Sequence, residues 1–145
     1  MIEDFKNIHY LTDYINNKES EIAEYNTRNE INKRNRVNGR ALTNIGVFRV
    51  YINHYRQNHP GINQEMTLMV RQLAPSEHGV PLEIYAFTND IRWAVFESIQ
   101  SDIFDHLFAV APEFKLQVFQ NPSGNDFRNL IDESRSNVTA RETDH

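Results

Sequence analysis

Apolar residues recur at helical spacing in three separate stretches of the chain. Across residues 2–25 they return every three, four or seven positions, a pattern typical of one long amphipathic helix. The second stretch begins after Thr43, whose side chain suits a helix N-cap, and ends at residues 59–61, because the proline of His-Pro-Gly cannot continue the helix. The third follows Asn89 or Asp90, either of which fits as its cap.

Alternation of apolar and polar residues predicts three strands. Residues 66–71 and 82–87 alternate on either side of a polar stretch at 75–79, which indicates a hairpin loop. A last strand is predicted over residues 114–119, after the third helix. The side chains that these patterns turn inward form the expected core: Phe48, Ile52, Leu68, Val70, Leu82, Ile84, Phe96, Ile99, Ile103, Leu107, Leu116 and Val118.

The order of these elements predicts an α+β fold. From residue 43 it runs helix, strand, strand, helix, strand, which is the ferredoxin-like α/β sandwich (split βαβ) lacking its first strand, here preceded by a long amphipathic helix. In that plan the first strand lies in the middle of the sheet, so a chain without it exposes unpaired backbone edges. We therefore expect the chain to be a truncation, or another segment or subunit to fill the gap.

Composition divides the chain into three regions. Residues 1–40 hold the first helix and a loop rich in Asn, Lys and Arg, which is typical of a solvated linker and, less often, of a patch for phosphates or anionic lipid. Residues 41–124 form the α+β domain. Residues 125–145 contain few apolar side chains and are expected to be a mobile C-terminal tail.

Charge and cysteine content exclude several classes of function. The net charge of −5 disfavours a non-specific nucleic-acid binder, which is usually basic over one face. Without cysteine there are neither disulfides nor thiolate metal sites. The longest unbroken apolar run is residues 107–111, far short of the roughly twenty residues that a membrane-spanning helix needs. We expect no membrane span in this chain.

Two groupings of polar residues suggest chemistry, but neither predicts a site. Asp102 and His106 are four apart and share a helix face, yet two ligands rarely hold zinc alone, so a solvated face is favoured. Ser76, Glu77 and His78 are adjacent in sequence, and adjacent side chains seldom point at one another, which favours a polar hairpin tip. We expect no catalytic residue, no metal site and no cofactor.

Aromatic residues supply the candidate contacts with a subunit or domain. Tyr85 and Phe87 alternate outward from the strand face that is expected to meet the helices. RNA-recognition modules stack bases on such rings, but Glu83 shares this face and the chain is acidic, so burial against a neighbouring domain or subunit is favoured. Trp93, near the start of the third helix, is the third candidate, although tryptophan there is more often part of a core.

Long strings of the sequence resemble the C-terminal cytoplasmic domain of miniconductance (YbdG-like) mechanosensitive ion channels, within the small-conductance mechanosensitive channel superfamily. The likeness covers most of the chain and fades in the basic loop and after residue 124. The strings that carry it are KNIHYLTDYI at 6–15, LTNIGVFRVYINHYRQNHPGI at 42–62, RQLAP at 71–75, GVPLEIYAFTND at 79–90, RWAVFESIQSDIFDHLFAVAPEF at 92–114 and FQNPSG at 119–124.

The resemblance implies a structural role and no enzymatic activity. The intact protein would be a homoheptamer at the bacterial inner membrane, with an upstream membrane domain that forms a tension-gated pore. Residues 41–124 would belong to the cytoplasmic vestibule, a hollow cage whose side openings pass ions and solutes during osmotic stress. The family offers no catalytic residue that could be assigned to a position of this chain.

Two other functions remain open from the residues alone. The chain is also consistent with a free-standing regulatory or ligand-binding domain of ferredoxin-like plan, which an isolated reading frame would favour. An RNA-binding module is the third reading, and it requires retention on RNA or heparin at moderate salt.

Overall fold

The computed structural model describes residues 1–31 and 39–123 together with Arg128. The predictions for residues 32–38 of the basic loop and for the tail at 125–145, apart from Arg128, lie outside the described residues. Within the described part the fold is α+β, as predicted. Its elements are helices α1 (Ile2–Phe5), α2 (Thr12–Arg28), α3 (Asn44–Gln57) and α4 (Trp93–Val110), strands β1 (Met69–Gln72) and β2 (Leu82–Tyr85), and a 3-10 turn at Ala111–Phe114.

The N-terminal helix is divided in two, which corrects the single helix predicted over residues 2–25. The chain turns between α1 and α2, where the Thr12 hydroxyl donates to the Lys6 carbonyl oxygen at 2.7 Å. Phe5 and Leu11 are six positions apart and would face different sides of a continuous helix. The turn lets both enter one core, where they are 1% and 0% exposed.

Helix α3 begins where the sequence predicts. The Thr43 Oγ1 atom accepts a hydrogen bond from the Gly46 backbone N–H at 3.1 Å, the geometry of an N-cap. The buried face of the helix meets Phe114, whose ring centroid lies 5.0 Å from that of Phe48 and 5.1 Å from that of Phe5. Phe114 thus joins the N-terminal segment, α3 and the end of α4 in one core.

The predicted hairpin forms, with strands shorter than the alternation suggested. β1 and β2 pair in antiparallel register, with Met69 opposite Tyr85. β1 begins late because the Asn63 side-chain oxygen accepts from the backbone N–H groups of residues 65 and 66 and holds them in a turn. At the hairpin tip Gly79 has a φ of 104°, a conformation that favours glycine.

The last predicted strand, over residues 114–119, is not formed. The chain passes through the 3-10 turn, Lys115 takes a left-handed φ of 57°, and residues 115–123 pair with no strand in the described part of the chain. A strand persists only where a neighbour takes up its backbone hydrogen bonds, and the two-stranded sheet provides no neighbour here.

None of the helices in the described part of the chain combines the length and hydropathy needed to cross a lipid bilayer.

Candidate interaction surface

The outer face of the hairpin carries the aromatic pair predicted from the sequence. Tyr85 is exposed and Phe87 half-buried, and their rings meet edge to face with centroids 5.4 Å apart. On the same face the Arg71 guanidinium binds both carboxylate oxygens of Glu83 at 2.9 to 3.2 Å. An aromatic centre beside a charged rim is typical of protein interfaces, and the contact itself stays a prediction.

Trp93 lies outside the core. Its side chain is 73% exposed, and its ring centroid lies 5.9 Å from that of Phe96. Ile91, two residues earlier, is fully exposed. Large apolar side chains in water favour contact with a partner, so Trp93 remains a candidate contact residue.

The turn before α4 differs from the predicted cap. Neither Asn89 nor Asp90 caps the helix: the Asn89 amide donates to the Pro60 carbonyl oxygen at 2.9 Å, and the N-cap residue is Arg92. The Asp90 carboxylate instead accepts from the Arg92 backbone N–H at 2.8 Å and from its guanidinium at 2.6 to 3.0 Å. These hydrogen bonds to Arg92, with the side-chain bonds the larger cause, lower the pKa of Asp90 from 3.8 to about 2.

Helix α4 exposes aromatic rings along one side. Leu107, at 6% exposed, is its one buried residue, although the helix is strongly apolar. Phe96, Phe104 and Phe108 are all exposed, and their spacings of four and eight place them on one face. The rings of Phe104 and Phe108 stack with centroids 5.9 Å apart. We call these three residues and Trp93 the aromatic stripe.

A groove runs between the aromatic stripe and β2. At one end a cavity of about 540 Å³ is lined by Leu82, by residues 116–119 and by Phe108 of the stripe. At the other end a cavity of about 130 Å³ is lined by Ile84, Ala86 and two further members of the stripe. The cavities follow one another along the same strand and helix, and we call them together the β2–α4 groove.

Of the two polar residues singled out on α4, His106 packs against α3, whereas Asp102 is exposed. The Tyr51 hydroxyl oxygen lies 2.8 Å from His106 Nε2, and the His106 ring stacks on Tyr55 at 4.0 Å between centroids. Burial raises the pKa of Tyr51, and burial followed by the nearby Asp102 carboxylate raises that of Tyr55. His106 therefore connects α3 to α4. In the described residues no three His, Cys, Asp or Glu side chains come together as a metal site.

The three polar residues of the hairpin loop lie at an exposed turn. Ser76 Oγ accepts from the His78 backbone N–H at 3.1 Å, which is a local turn contact. The His78 ring meets the Phe119 ring edge-on at 4.5 Å between centroids. Ser76, Glu77 and His78 are all exposed, and the arrangement is that of a polar loop.

Sequence reasoning missed most of the aromatic stripe. It assigned Phe96 to the core and did not single out Phe104 and Phe108. The sequence contains a signal for it, because the apolar positions of α4 cover more than the roughly 100° of the helix circumference that one buried face needs. The surplus marks a second apolar face.

No protein-family model matches the chain, and no solved structure matches it.

Proposed function

We propose that the chain is the cytoplasmic vestibule domain of a bacterial mechanosensitive channel of the small-conductance superfamily. The support is the likeness of its sequence strings to miniconductance channels. The helix–hairpin–helix order from α3 to α4 is compatible with a ferredoxin-like sandwich that lacks its first strand. In this proposal the chain performs no catalysis and needs no cofactor.

The observation that carries the proposal is the surface around β2 and α4, which has no partner among the residues that the structure describes. A strand with an open edge and a helix with exposed aromatic rings are unfavourable in a free monomer, because both promote association. Here the two features adjoin each other across the β2–α4 groove. Such a surface is expected of a module that functions inside a larger assembly.

Ring assembly requires contacts between two different surfaces of each subunit. A heptamer cannot be closed by two-fold contacts alone, so one patch must meet a second, unlike patch on the next copy. The aromatic stripe and the outer hairpin face with Tyr85 and Phe87 are two such patches on different elements. In the intact protein these contacts would join the subunits into a closed cage. The cage would lie at the cytoplasmic face of the inner membrane, below the upstream pore domain.

The mass of the chain in solution tests this function. We expect analytical ultracentrifugation to show self-association that grows with concentration and reaches a closed ring. Replacing Phe108 with Glu places a charge in the aromatic stripe and should shift the equilibrium to monomer by about tenfold or more, since buried aromatic contacts dominate interfaces. The control is Met66→Ser, at an exposed apolar position before β1, which should leave the mass unchanged.

A chain that stays monomeric at every concentration would contradict the proposal. That result would favour the free-standing regulatory or ligand-binding domain, for which no self-association is required.

A further inference from the structure

A polar cavity lies at the C-terminal end of α3, where the chain turns towards β1. It has a volume of about 480 Å³, and five carboxamide side chains line it: Gln57, Asn58, Asn63, Gln64 and Asn89. We call it the carboxamide cavity. The β2–α4 groove is lined chiefly by apolar side chains, whereas this cavity offers hydrogen-bonding groups, which fix the orientation of a ligand.

Backbone contacts decide which end of three of these amides stays free. Asn58 Nδ2 donates to a carbonyl oxygen of α3 at 2.8 Å, and Asn89 Nδ2 donates to the Pro60 carbonyl oxygen at 2.9 Å. Gln64 Nε2 donates to two backbone carbonyl oxygens at 3.0 and 3.2 Å. A carbonyl oxygen can only accept, so the amide nitrogens are held and the amide oxygens are the free ends. These three oxygens have no hydrogen-bond partner among the residues that the structure describes.

The electrostatics of the carboxamide cavity favour a cation. Glu65 lines it, and its carboxylate forms no ion pair with any described residue. Helix α3 ends at Gln57, which also lines the cavity, so the negative end of the helix dipole lies there. No described Lys or Arg lines the cavity, and the Arg56 guanidinium on the last turn of α3 donates instead to Asn53. Acceptor oxygens beside a carboxylate match a cation that carries N–H donors.

We propose that the carboxamide cavity binds an aliphatic ammonium group, carried by a free amine or by a lysine side chain. Its three N–H donors match the three free amide oxygens of Asn58, Gln64 and Asn89. The Glu65 carboxylate supplies the opposite charge. Pro60 and Ile62, which also line the cavity, contact the carbon atoms next to the ammonium group.

A metal ion and an uncharged polyol match these groups less well. Calcium takes about six to eight oxygen ligands, with several carboxylates among them, and the cavity has one described carboxylate, that of Glu65. In the described residues no three His, Cys, Asp or Glu side chains come together. The hydroxyl groups of a polyol need donors as well as acceptors, and a polyol gains nothing from the charge of Glu65.

Titration of the ¹⁵N-labelled chain with butylamine tests the site. We expect saturable shifts of the side-chain NH2 signals of Asn58, Gln64 and Asn89 in NMR spectra. Butyltrimethylammonium has the same charge without N–H donors, and 1-butanol has the same carbon chain without the charge. Each should bind about tenfold more weakly or worse, because it lacks the charge-assisted hydrogen bonds.

A second arm of the titration distinguishes the two sources of the ammonium group. N-acetyl-lysine N-methylamide carries it on a peptide unit. Tighter binding of this compound than of butylamine would assign the site to a lysine side chain of a partner protein, and the reverse order would assign it to a free amine. Both results support an ammonium site.

A pair of matched variants locates the binding on the protein. Glu65→Gln keeps the size of the side chain and removes its charge, and it should weaken butylamine binding by about threefold or more. The control is Glu77→Gln, at an exposed carboxylate in the hairpin loop, which should leave the affinity unchanged.

Equal binding of butylamine, butyltrimethylammonium and 1-butanol would overturn the proposed site. So would equal effects of Glu65→Gln and Glu77→Gln, since the attraction would then be non-specific, and so would tighter binding of calcium than of butylamine. None of the proposed subunit contacts lines the carboxamide cavity. A ring that binds no amine would therefore refute this site alone, and a monomer that binds butylamine would refute the proposed ring alone.

Discussion

The Arg56 side chain is more deeply buried than its few hydrogen bonds would favour. It is 2% exposed, yet its Nε and Nη1 atoms have no hydrogen-bond partner among the residues that the structure describes. Its Nη2 atom donates to the Asn53 side-chain oxygen. Burial lowers the pKa of the Arg56 guanidinium, because removing a charge from water without a compensating anion is unfavourable.

Replacing Arg56 with Met should therefore stabilise the protein. The substitution keeps a long apolar side chain and removes an unpaired charge, so we expect the free energy of unfolding to rise by about 1–3 kcal/mol. Urea denaturation followed by circular dichroism measures the change. The control, Arg49→Met on the exposed side of the same helix, should stay within about 0.5 kcal/mol. A large destabilisation by Arg56→Met would show that the guanidinium has an anionic partner in solution.

The predicted core is correct for residues that lie between two elements and wrong for two residues near the edge of β2. Ile52, Val70 and Leu107 are buried as predicted, since each lies between elements that the chain itself contains. Phe96 and Val118 are exposed instead, at 37% and 47%. Periodicity reports which side of an element is apolar. It does not report whether a partner is present to cover that side.

The contact between Asp90 and Arg92, in the turn before α4, gives a prediction for the pKa of a carboxyl group. The pKa of Asp90 is lowered from 3.8 to about 2, chiefly by hydrogen bonds from the Arg92 side chain. A lowered carboxyl pKa means that this contact stabilises the turn above about pH 4 and is lost as the pH falls through 2. We expect Arg92→Gln to raise the pKa of Asp90 towards its ordinary value, as measured by NMR titration of the side-chain carboxyl.

The control for that titration is Arg71→Gln. Arg71 pairs with Glu83 on the hairpin and makes no contact with Asp90, so the pKa of Asp90 should not change. If Arg92→Gln also left it near 2, the backbone N–H bond alone would account for the shift.

Local sequence signals predicted elements best where the responsible contacts are also local. The Thr43 cap of α3 and the hairpin around Gly79 depend on neighbours within a few residues, and both were predicted. The division between α1 and α2 was not, because it is decided by Phe5 reaching Phe114, which is distant in sequence. A pattern within one segment contains no information about such a tertiary contact.

At the scale of the whole molecule, the order of the elements predicted the fold class correctly. It did not predict how many strands the sheet contains. Three strands were predicted and the described residues form two, because residues 115–123 have no described neighbour to pair with. The plan read from the sequence placed its missing first strand in the middle of the sheet. The structure has a groove in this region, lined by β2 on one side and residues 116–119 on the other. The place of the missing strand thus borders the aromatic stripe, which is one of the two proposed subunit contacts.

The fluorescence of the single tryptophan can report whether molecules of the protein associate with one another. Trp93 is the only tryptophan and is 73% exposed, so dilute protein should show the red-shifted emission and strong acrylamide quenching of an indole in water. If the aromatic stripe forms a subunit contact, raising the protein concentration should shift the emission to the blue and reduce quenching, because the ring leaves water. Phe108→Glu should retain the dilute-protein spectrum at all concentrations. Association detected by ultracentrifugation without any change in Trp93 emission would show that the contact lies elsewhere, and the outer hairpin face with Tyr85 and Phe87 would then be the surface to vary.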